Sequence, residues 1–225
     1  MHIESTIRSL RVMLRANTII ASIHGLYSIS RILRVPNPPA GLLLSQAVVQ
    51  AARETLPLSA DKVYLSWQII HADGEGQEAL VVGVPREVLD SEVRALRAVG
   101  ISPHILELKA MALARVVNQK QALVLNIEPA SFDIVVVVNG MPEIMRTAPW
   151  QPEELTVEDK AEHLAVTLEL TVGFYNSHYP DTPLKSATPL FLTGQMSGDL
   201  ALLPKLQTRL GYPVEPLSPP LECPA

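Results

Sequence analysis

Two short stretches of this chain carry residue types that could handle a charged ligand. The first is Asn126-Ile-Glu-Pro-Ala-Ser-Phe-Asp133, a turn that joins the apolar runs ending at Leu125 and beginning at Ile134. A small, acidic, hydroxyl-bearing turn can hold Mg²⁺ and bring backbone N–H groups up to phosphates, which makes Asn126, Ser131 and Asp133 candidate ligand contacts. The plainer reading is a polar hairpin turn, which favours the same residues. The second stretch is Leu192-Thr-Gly-Gln-Met-Ser-Gly-Asp199. Gly194, Ser197 and Gly198 would let the backbone approach a ligand closely, and they would equally serve a strand-to-helix turn.

Nothing else in the sequence forms a chemical constellation. The six histidines, His2, His24, His71, His104, His163 and His178, are scattered, and none has a second ligand at metal-binding spacing. His163 falls on the polar side of an amphipathic helix and is expected to face solvent. There is no Gly-x-Ser-x-Gly elbow, so no catalytic residue and no metal ligand set is expected. Cys223, the lone cysteine, lies in a Pro-rich stretch; a single thiol excludes an internal disulfide and suits a reducing cytoplasm. The acidic pairs Glu153-Glu154 and Glu158-Asp159 suit the opening of a helix, and Trp67 and Trp150 suit core or interface anchors.

With 225 residues, 48% of them hydrophobic, the chain can build one large or two small domains with real cores. A net charge of -5 leaves no basic stripe for a nucleic-acid groove. The arginines at 8, 11, 15, 31 and 34 are spaced like a solvated face. No apolar run reaches the roughly 18 residues that a membrane span requires.

The elements that must position the two candidate turns follow from periodicity. Residues 5–16 read as a short helix, and 18–23 and 27–35 as strands stopped by Pro36, Pro38 and Pro39. Helical spacing from Leu42 to Leu56 ends at Pro57. Strands 63–70 and 78–84 form a hairpin around the loop 71–76. Pro85 opens a helix running to Gly100, strand 102–107 follows, and 109–118 is helical. Residues 122–147 then form a meander, because apolar runs joined by turns as short as Asn139-Gly140 must pair antiparallel. After a linker at 149–152 comes the longest helix, about 157–179, with Ala161, Leu164, Ala165, Leu168, Val172 and Tyr175 on one face. Strand 189–193, helix 199–210 and strand 214–217 complete the order.

Taken together, the meander, the long helix and the stretch from Leu192 through Leu210-Gly-Tyr-Pro-Val214 resemble the second domain of an actin-like ATPase. Within that superfamily the order is similar to the PilM-like proteins of the type IV pilus platform. The resemblance rests on Glu54-Thr-Leu-Pro57, Tyr64-Leu-Ser-Trp-Gln-Ile69, Val84-Pro-Arg-Glu-Val88, Ala98-Val-Gly-Ile-Ser-Pro103 and Ala112-Leu-Ala-Arg115, and it spans roughly residues 18–217. It implies an α/β (α+β) fold in three parts: a remnant of the first actin-like subdomain (1–41), an inserted α/β subdomain (42–107) and a ribonuclease H-like second domain (108–225).

The resemblance also implies where the chain departs from an ATPase. The first phosphate hairpin, Asp-x-Gly-x-x-x-x-Lys, has no counterpart in this sequence. In the second, Asn126 stands where an aspartate would organise Mg²⁺ and Glu128 where a glycine would admit phosphate. In the adenosine turn, Gln195 and Met196 replace glycines. The expectation is therefore a degenerate nucleotide cleft with no resident cofactor. The function implied is a cytoplasmic component held at the inner membrane by the cytoplasmic tail of a PilN-like protein, with Leu33, Val35 and Leu42 walling the groove and self-association left open. The rival is an active ATPase or sugar-kinase relative that binds Mg·ATP between two domains.

Overall fold

The computed structural model describes residues 18–38, 43–56, 62–150 and 155–217. They fall into two compact units, Met1–Glu107 and Leu108–Ala225. The helix expected at 5–16, Leu42, Pro57, Glu153, Glu154 and Cys223 lie outside the described residues.

In the first unit the order is β1 (Ile20–Ile23), a 3-10 turn (Gly25–Tyr27), β2 (Ile29–Pro36), α1 (Leu44–Thr55), β3 (Val63–Ala72), β4 (Gly76–Pro85), α2 (Arg86–Ala98) and β5 (Ile105–Leu108). β1 pairs with β5, and the other three strands form an antiparallel sheet in the order β2-β4-β3. Val48 and Ala52 of α1 pack on one face of this sheet against Leu33, Val35, Ala79 and Val81. The hairpin loop is tighter than its sequence suggests, spanning 73–75 rather than 71–76, because Asp73 Oδ1 accepts the N–H groups of both Glu75 and Gly76 at 2.9 Å. Arg34 crosses from β2 to the same carboxylate at 2.6 Å. Gly76 is required at the strand start: a Cβ there would lie 2.9 Å from the carbonyl oxygen of Val35. Pro85 ends β4 in extended geometry and caps α2 rather than forming its first turn.

The second unit runs α3 (Lys109–Val117), β6 (Gln121–Ile127), β7 (Ser131–Val138), β8 (Met141–Pro149), α4 (Val157–His178), β9 (Leu190–Thr193), α5 (Leu202–Arg209) and β10 (Val214–Pro216). Its five-stranded sheet has the order β10-β9-β6-β7-β8. β6, β7 and β8 are the antiparallel meander, while β9 and β10 add in parallel. Asn139 and Gly140, both at positive φ, make its second turn.

Helices cover both faces of this sheet, which explains why β6 and β7 read as nearly continuous apolar runs. Leu123, Leu125, Ile127, Phe132, Ile134 and Val136 pack with α4 and α5, while Ala122, Val124, Val135 and Val137 pack with α3. α4 begins in a capping box, Thr156 with Asp159. Glu158 and Glu162 on its exposed side pair with Lys205 and Arg209 of α5. Pro149 closes β8 instead of opening a linker, and Trp150 is 3% exposed, stacked at a tilt on Phe132 with ring centroids 4.9 Å apart. His163 is exposed, as its helical position implies, with its ring edge-on to Phe132.

Candidate functional site

Both candidate turns lie in the second unit, and the structure brings them together. Asn126 and Asp133 are register partners in β6 and β7, on the sheet face that packs against α3. Continuing across the sheet, Thr193 of β9 stands beside Asn126 and Thr147 of β8 beside Asp133. The result is a polar row, Thr193–Asn126–Asp133–Thr147, crossing four strands at one level. Asn126 is 3% and Asp133 1% exposed. Groups so deeply buried need partners.

Asp133 has three. Oδ2 accepts from Asn126 Nδ2 at 2.8 Å and faces the ammonium of Lys109 at 2.6 Å, and Oδ1 accepts from Thr147 Oγ1 at 2.6 Å. Lys109 reaches it because it is the first residue of α3, whose Ala110, Ala114 and Val117 are buried against β6 and β7.

Glu128 spans the two turns. Its Oε1 accepts weakly from Asn126 Nδ2, and its Oε2 accepts from the backbone N–H of Gln195, both at 3.3 Å. Its own carbonyl accepts from Trp150 Nε1 at 2.9 Å, and its N–H donates to the Ser131 carbonyl at 2.9 Å, closing the hairpin. On the other side, Met196 N–H donates to the Ile127 carbonyl at 3.0 Å. The glycine turn is pressed onto the end of β6 here: Gly194 has φ +94°, and a Cβ on it would lie 2.4 Å from the Ile127 oxygen. Ser197 is occupied within its own turn, its hydroxyl donating to the Gly194 carbonyl at 2.8 Å.

Asn126, Asp133 and Gly194 of the sequence-derived set thus meet at one place. Ser131 contributes the carbonyl that closes the hairpin, and Ser197 braces the glycine turn. Lys109, Thr147 and the bridging role of Glu128 were not foreseen. Lys109 read only as a helix start, and Thr147 could be found only by projecting the register of β8 onto Asp133.

A Mg²⁺–phosphate group would need carboxylate oxygens free to face the metal. Here both oxygens of Asp133 are engaged and a cation already sits beside them. Asn126 presents its amide N–H₂ rather than an anionic oxygen, and the Glu128 carboxylate stands beside the N–H that would meet an anion. Among the described residues no group of three or more His, Cys, Asp or Glu side chains could hold a metal ion. The residues present do not fit Mg·ATP.

In the first unit, Leu33 and Val35 do not wall a groove. They are 6% and 0% exposed and belong to the core beneath α1, because alternation along β2 turns them to the face that the helix covers. What β2 leaves open is its outer edge: β4 is its only strand partner among the described residues.

The architecture is a mixed α/β fold. No family model matches the sequence, and no curated protein does. Among solved structures, a chain of the "PilM-PilN type IV pilus biogenesis complex" superposes with a TM-score of 0.73, covering 97% of this chain and 75% of that one, at 19% identity. The cytoplasmic domain of EpsL from Vibrio cholerae, an inner-membrane component of its type II secretion system, gives a TM-score of 0.56 over 85% of this chain and 67% of that one, at 12% identity. The chain therefore shares its fold with a chain of that complex, in line with the resemblance drawn from the sequence.

Proposed function

We propose that this protein is a cytoplasmic structural component of an inner-membrane assembly platform of the type IV pilus or type II secretion kind, and that it docks the cytoplasmic tail of a PilN-like membrane protein. The observation that carries this reading is the likeness of fold to a PilM–PilN chain across nearly the whole length of this one. The EpsL likeness supports the same setting at the inner membrane. No helix among the described residues is long and apolar enough to cross a membrane, so attachment through a partner suits the chain. The self-satisfied polar row favours a scaffold over a working ATPase.

Docking would use the open edge of β2, where main-chain hydrogen bonds supply affinity and side chains on the face away from α1 supply specificity. Ile32 is half-buried on that face. The test is calorimetric titration with a synthetic peptide of the cytoplasmic tail of a PilN-like protein from the same genome. Saturable binding that Ile32→Asp weakens without loss of fold is expected. Absence of binding, or binding indifferent to β2, would reject the docking reading.

A further inference from the structure

The sharpest disagreement between this chain and the nucleotide site its fold implies lies in its own charges. Asp133 and Glu128 bring two carboxylates to the end of the hairpin and Thr147 adds a hydroxyl, a set of oxygens that ordinarily attracts a hard cation. The Lys109 ammonium, 2.6 Å from Asp133 Oδ2 with its side chain only 22% exposed, already supplies one. On the other side of the cluster, the N–H of Gln195 in the glycine turn already meets a carboxylate, that of Glu128.

We infer that the site is filled from within: Lys109 takes the place of a divalent cation at Asp133, and Glu128 takes the place of an anion at the glycine turn. The consequence is mechanical. The end of β6, the hairpin turn and the glycine turn are bridged by groups of the chain itself, so no bound nucleotide is needed to bring them together. A ligand can drive a conformational change only through different affinities for two states, and here the ligands are covalently part of the chain. Replacing Lys109 by a neutral residue would leave Asp133 a buried carboxylate without its countercharge and open a divalent-cation site that the natural sequence suppresses.

The inference rests on the proposed reading of the cleft as degenerate. It is tested with Tb³⁺, a hard oxygen-seeking ion whose emission Trp150 can sensitise, because the indole N–H is bonded to the Glu128 carbonyl. Titrations would compare the full chain, Lys109→Gln, Lys109→Arg and Lys109→Gln/Asp133→Asn. Removal of the resident positive charge should tighten Tb³⁺ binding at least about tenfold, since a like charge in contact is strongly repulsive. Lys109→Arg should remain at the wild-type affinity, and Asp133→Asn should erase the gain. A Lys109→Gln protein that unfolds cooperatively but shows no gain overturns the inference.

Should Lys109→Gln not fold, wild type against Asp133→Asn decides alone. Equal, weak affinities support the inference, and a tight site lost in Asp133→Asn overturns it. Mg·ATP titration separates this from the parent reading. Nucleotide binding by the wild type, with no Asp133-dependent Tb³⁺ site, would sink the degenerate cleft while upholding Lys109 as the resident cation.

Discussion

Asn126 and Asp133 face each other directly across β6 and β7, and the amide of one donates to the carboxylate of the other at 2.8 Å. The side-chain identity at 126 decides what the pair can be. An amide can satisfy a buried carboxylate without any metal, whereas a second carboxylate at that distance would need one. Asn126→Asp should therefore destabilise the protein at neutral pH by about 2–4 kcal/mol, because like charges so close cannot both ionise. One carboxyl would have its folded pKa raised above its unfolded value, so stability would be retained at low pH and lost as pH rises through the folded pKa. Urea denaturation across pH checks this. A variant as stable as wild type at pH 7 would show that Lys109 alone can carry both charges.

Gly194 and Gly198 sit in one turn but should respond oppositely to alanine. At Gly194 the backbone is in the left-handed region and an added Cβ would meet the Ile127 backbone, whereas nothing lies within 4 Å of a Cβ at Gly198. Gly194→Ala should lower stability by about 2 kcal/mol or more, with Gly198→Ala staying within about 0.5 kcal/mol. Thermal unfolding of the two single variants side by side makes the comparison.

Leu33 tests whether β2 contributes core or groove. It is 6% exposed among Val48, Ala52 and Val81. Leu33→Ala should cost about 2–5 kcal/mol as a core truncation. Peptide affinity measured at a temperature where the variant is still folded should change little; a selective loss of peptide binding with full stability would put Leu33 at the interface.

Two carboxyls of the first unit should shift in opposite directions with pH. The N–H of Glu75, followed by the guanidinium of Arg34, holds the Asp73 carboxyl below its ordinary value. Burial raises that of Glu92, partly offset by His24. Asp73 thus adds stability above its unfolded pKa that fades as pH falls through its lower folded value. Glu92 favours the fold below its unfolded pKa, and that contribution fades as pH rises through the folded one. Carboxyl NMR titration should place Asp73 below and Glu92 above their peptide values, and Glu92→Gln should stabilise the protein at pH 7.

Local structure is legible in the sequence. The meander was legible because apolar runs separated by Asn139-Gly140 leave no room for a crossover, and the long helix because Ala161, Leu164, Leu168, Val172 and Tyr175 keep one face. What another element covers is not legible there. The alternation in β2 shows that Leu33 and Val35 share a face, but only the position of α1 reveals that this face is buried. Asn126 and Asp133 were recognisable as polar residues flanking a turn. Their pairing with Lys109 was not, since it depends on how α3 packs beneath β7. Pro85 caps α2 rather than opening it because a proline φ near -54° suits either position, and only its extended ψ of 133° distinguishes them.

The polar row has a consequence for how the chain finds its native state. In a strand, a slip of one residue exchanges the two faces, and β6 and β7 are so uniformly apolar that burial alone would penalise such a slip little. Thr193, Asn126, Asp133 and Thr147 remove that degeneracy. A one-residue shift of β7 against its neighbours would carry Asp133 away from Asn126, Thr147 and Lys109 and set its charge among the leucines packed with α4. The row of buried polar residues is thus also the alignment mark that holds β6 and β7 in a single register.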